Sequence, residues 1–108
     1  MDDATKILAM TECLILWDYL AETGEDNKTR ALRHLHHNKL ISLADYDSSC
    51  PLCHYLRCQY CVWPRYDDYY RCCSKKSPYI EWEERSCGVP ARKAAALKVL
   101  NLLLSIEF

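Results

Sequence analysis

The sequence predicts a small, mainly α-helical domain of three helices, with an irregular cysteine-rich segment between the second and the third. Three observations lead there. Apolar residues recur every three or four positions near both ends of the chain, the spacing of a helix with one buried face. Glycine occurs only twice in 108 residues, so the chain is poor in tight-turn residues. Six of the eight cysteines fall between Cys50 and Cys73, where neither helical nor alternating periodicity persists. The length suits one domain, 1–108, divided into a first helix (1–24), a short second helix and loop (25–47), the cysteine-rich segment (48–87) and a C-terminal helix (88–108).

The first helix is expected over residues 3 to 23. Ile7, Met10, Leu14, Trp17 and Ala21 form its stripe, and Cys13, Leu16 and Leu20 widen it. Asp2 or Asp3 suits the N-cap. Gly24 stands where a helix end favours positive φ. Trp17 and Cys13 read most simply as core residues. The second helix is expected from about Lys28 to His37, capped by Asp26 or Asn27. Its narrow stripe is Ala31, Leu32 and Leu35; Arg30, Arg33, His34 and His37 share the other side, which reads most simply as a solvated face and alternatively as a small basic contact surface. In "GVPARKAAALKVLNLLLSIEF", Pro90 fits a first helical turn, where its missing N–H costs nothing. The alanines and leucines that follow are strong helix formers. Val99, Leu100, Leu102, Leu103, Leu104, Ile106 and Phe108 are too many for one stripe. One side of this helix is expected on Met10, Leu14 and Trp17, the other under the cysteine-rich segment or a second chain in a homodimer.

Bulk composition narrows the function. Half of the residues are hydrophobic and 27% are charged, which is globular rather than disordered. A net charge of −1 gives no overall basic field for nucleic acid. The start "MDDATK" lacks a basic signal region, and "CLILW" runs straight into Asp18. No run reaches the roughly 18 apolar residues of a membrane span. The expectation is a cytoplasmic protein with reduced or metal-bound thiols and no membrane partner.

The thiols carry the strongest signal. "CPLCHYLRCQYC" holds two Cys-x-x-Cys pairs, Cys50/Cys53 and Cys58/Cys61. Each pair turns two thiolates toward one point, and four thiolates make a closed tetrahedral zinc site with bonds of about 2.3 Å. Such a site contributes folding energy that a polar, glycine-poor segment lacks. Only "HYLR" separates the pairs, whereas zinc ribbons and fingers usually leave a dozen or more residues. Cys72 or Cys73 can therefore stand in for Cys58 or Cys61, with Cys87 a weaker alternate. The spacing matches neither ferredoxin pattern for an iron–sulfur cluster. A thioredoxin-like pair needs a βαβ setting that is missing. The expected cofactor is structural Zn²⁺.

No catalytic set emerges, and the chain is read as not an enzyme. His54 adjoins Cys53, but a Cys–His nucleophile pair needs its cysteine free of metal. Neither a phosphate loop nor HExxH is present. His34 and His37, at i and i+3, could hold a second metal, although exposed histidines are the simpler reading. Seven of the eight tyrosines lie between Tyr46 and Tyr79, interleaved with tryptophan and basic residues. Tyr55, Arg57, Tyr60, Trp63, Arg65, Tyr66, Tyr69, Tyr70 and Arg71 are of the types enriched in binding hot spots. Part of this set is expected to cover the metal site and the rest to face a partner. The same interleaving also suits stacking on single-stranded nucleic acid.

Several of these pieces occur together in a way that resembles a group of small cysteine-rich, zinc-finger-like accessory proteins encoded by bacteriophages. The shared skeleton is a tryptophan helix ending in an "LAETG" turn, here Trp17 and residues 20–24. Two Cys-x-x-Cys pairs follow, then a further cysteine (Cys72 or Cys73) and Pro78, Tyr79 and Trp82 of "SPYIEWEE". The resemblance covers most of the chain. The group is largely without assigned activity; the resemblance implies an accessory protein acting in the cytoplasm of the bacterial host and, by analogy with other small phage proteins, one that binds and disables a host or defence component. An anti-CRISPR-like inhibitor of an effector complex is one form of that. The leading expectation is a zinc-stabilised protein-interaction module; the alternative is a small zinc-finger nucleic-acid-binding regulator.

Overall fold

The computed structural model describes residues 3–41, 78–85 and 88–106. Among them the fold is mainly helical, with no strand. Helix α1 runs Asp3–Thr23, the span read from periodicity. Of the two proposed caps, Asp3 is its first residue and Asp2 lies outside the described residues. Ala9, Met10, Cys13, Leu16, Trp17 and Leu20 are buried. Ile7, placed on the stripe by its spacing, is instead 57% exposed. The reason is that α1 is apolar around most of its circumference, so spacing alone does not select the face that meets the core.

The end of α1 is clamped rather than merely capped. Gly24 takes φ 72°, and its N–H donates to the Leu20 carbonyl at 3.0 Å. The Gly24 carbonyl accepts from Arg92 Nε at 2.8 Å, while a Cβ added at Gly24 would stand 2.6 Å from Val89 Cγ1. A side chain here meets both the left-handed penalty, about 1–2 kcal/mol, and overpacking of about 1–3 kcal/mol. Gly24→Ala is expected to lower stability by about 2–5 kcal/mol, a fall in Tm of roughly 10 °C or more for a domain this size. A thermal melt within about 2 °C of wild type would contradict the close approach of these two helices.

Helix α2, Lys28–His37, begins at Asn27, whose side chain accepts from the Arg30 N–H at 3.0 Å. Ala31, Leu32 and Leu35 are buried, while Arg30, Arg33, His34 and His37 are exposed, as the narrow stripe predicts. The helix stops in a Schellman arrangement. Lys39 takes φ 60°, its N–H donates to His36 O at 3.0 Å, and Leu40 N–H donates to Leu35 O at 2.9 Å. Ile41 then turns back into the core at 5% exposure.

The segment 48–87 was expected to be irregular throughout, and at its C-terminal end it is not. Pro78–Ile80 forms one helical turn, α3, that runs on as a π-helical turn over Glu81–Arg85. Three expected helices thus become four helical stretches among the described residues. Seven or eight residues are too few for helical periodicity to show in sequence. Their order comes from tertiary burial of Tyr79, Ile80 and Trp82.

Helix α4, Gly88–Leu104, packs along α1. Its N-terminal turn, with Pro90, meets the end of α1 at Gly24, so the two helices run in opposite directions. Ala95, Ala96, Val99 and Leu103 face the core. Leu102 and Ile106 are half-buried against it, whereas Leu97 and Leu104 point outward at 48% and 63% exposure. Phe108 lies outside the described residues.

Candidate functional site

The expected zinc ligands Cys50, Cys53, Cys58 and Cys61, and the alternates Cys72, Cys73 and Cys87, lie outside the described residues. So do Tyr55, Arg57, Tyr60, Trp63, Arg65, Tyr66, Tyr69, Tyr70 and Arg71. The described structure supplies the frame from which that segment departs and to which it returns. It departs after Ile41, beside α1, and returns at Pro78, just before two aromatic residues that pack on Trp17. Both boundaries are fixed by buried side chains, Ile41 on one side and Tyr79 and Ile80 on the other.

The return point is an aromatic joint. The Trp17 ring meets Tyr79 edge-on at 5.7 Å and 73°, and Trp82 edge-on at 5.2 Å and 86°. Such T-shaped pairs set the positive ring edge against a negative ring face, each contributing about 0.5–1.5 kcal/mol beyond area burial. Lys28, the first residue of α2, donates from Nζ to the Tyr79 hydroxyl, tying the polar end of that ring to the next helix. Trp17, Tyr79 and Trp82 therefore form one cluster, although about sixty residues separate the first from the others. Tyr79 and Trp82 belong to the tyrosine- and tryptophan-rich stretch, and the structure assigns both to the core.

Two of the concavities among the described residues flank this frame. One, of about 420 Å³, is lined by Asp26, Asn27, Lys28, Thr29, Trp82, Glu83 and Arg92. Sequence reasoning did not single it out; the only signal was a helix-cap turn, "GEDNKT", with Arg92 distant from it. Its polar groups hold the joint together: Asn27 caps α2, Lys28 binds Tyr79, and Arg92 binds the Gly24 carbonyl. The other, of about 520 Å³, lies between α1 and the end of α2, with Leu8, Ile15, Leu40 and Ile41 around the buried Glu12.

No group of three or more His, Cys, Asp or Glu side chains gathers as a metal site among the described residues. His34 stacks on Tyr19 at 5.2 Å, and its Nδ1 lies 3.4 Å from Asn38 Nδ2. His37 is exposed, so this pair reads as a solvated helix face. Cys13, the one cysteine among the described residues, is buried on α1. No helix of the described residues is long and apolar enough to cross a membrane. No protein-family model matches the chain, and neither a curated protein nor a solved structure does so.

Proposed function

We propose that the chain is a zinc-stabilised protein-interaction module: a helical frame that displays a cysteine-rich segment ordered by structural zinc. The observation that carries this reading is the pair of Cys-x-x-Cys motifs set between two buried anchors, Ile41 and Tyr79. The frame builds its core from its own aliphatic and aromatic residues and uses one cysteine, Cys13, as a small apolar side chain. The donor set fits zinc, since four thiolates saturate its tetrahedral preference. Bound zinc supplies order and leaves no coordination position open to substrate, so the role is not enzymatic.

The partner is a protein of the bacterial host, in a defence complex such as a CRISPR effector. Three considerations support this: hot-spot residue types around Trp63 and Arg65, a net charge near zero, and the resemblance to bacteriophage accessory proteins. The interleaved basic and aromatic residues support the second reading, a nucleic-acid-binding regulator. A capture experiment and a gel-shift assay separate the two. The protein is expected to retain a host protein complex, with Trp63→Ala/Arg65→Ala lowering retention at least ~10-fold, as loss of hot-spot residues does. No nucleic-acid shift is expected at low salt. A shift that weakens steeply between two salt concentrations would replace this reading with the nucleic-acid one.

A further inference from the structure

We draw no further inference here: the strongest candidate, the polar cleft of about 420 Å³ between the N-terminal turn of α2 and Arg92 of α4, carries nothing, because Lys28 and Arg92 in its wall are already engaged with Tyr79 and the Gly24 carbonyl, and nothing among the described residues shows what covers it.

Discussion

Trp17→Ala is expected to remove most of the stability of the domain. Trp17 is completely buried and stands where α1, α3 and α4 share one core. Truncating a buried tryptophan costs about 3–5 kcal/mol through lost transfer energy and the cavity left behind. Two edge-to-face partners, Tyr79 and Trp82, lose their central ring at the same time, for about 0.5–1.5 kcal/mol each. Against a total of about 5–15 kcal/mol for a small domain, that leaves a chain marginal or unfolded at 25 °C. Trp17→Phe should cost much less. It keeps an aromatic ring, and Trp17 Nε1 has no hydrogen-bond partner to lose among the described residues. By contrast Leu97→Ala, on the outward face, should fall within about 0.5 kcal/mol of wild type. Urea titrations of the three variants check this ordering, and a Trp17→Ala protein as stable as Leu97→Ala would refute the aromatic joint.

The second large effect is expected on removing zinc, whether by a chelator or by Cys50→Ser/Cys53→Ser. Binding energy at a four-thiolate site is folding energy for whatever the site orders, of order 10 kcal/mol in zinc-finger peptides. The helical stretches have their own apolar core and should keep most of their amide protection. Residues 48–77 have no apolar periodicity and should lose theirs. Residues 78–85 should behave with the helices, because Tyr79, Ile80 and Trp82 are buried on α1 and α4. Hydrogen exchange with and without chelator distinguishes the regions. Uniform loss along the chain would mean that zinc holds the entire fold.

The helices were legible because each left a local chemical trace. Gly24 supplies positive φ at the end of α1, Asn27 caps α2, and Ala31, Leu32 and Leu35 form a stripe narrow enough to name its buried face. The face of α1 was less legible: Ile7 has the right spacing but lies outside, since apolar residues nearly encircle the helix. The turn at 78–85 was not legible as a helix, because its order depends on Trp17, far away in sequence. Tyr79 and Trp82 were grouped by composition with the tyrosine-rich segment, yet composition does not report which rings a distant helix will cover. In the same way, the polar cleft beside Arg92 exists only because α4 returns to the Gly24 turn. The cysteine pairs are a motif that sequence alone reveals, and their chemistry rests on the donor set.

Metal content therefore bears most directly on the account. Protein purified under reducing conditions without added metal should carry about one zinc per chain by elemental analysis, since one four-thiolate site uses most of the clustered cysteines. Iron in place of zinc, or reduced and folded protein with no metal, would contradict the zinc-stabilised module.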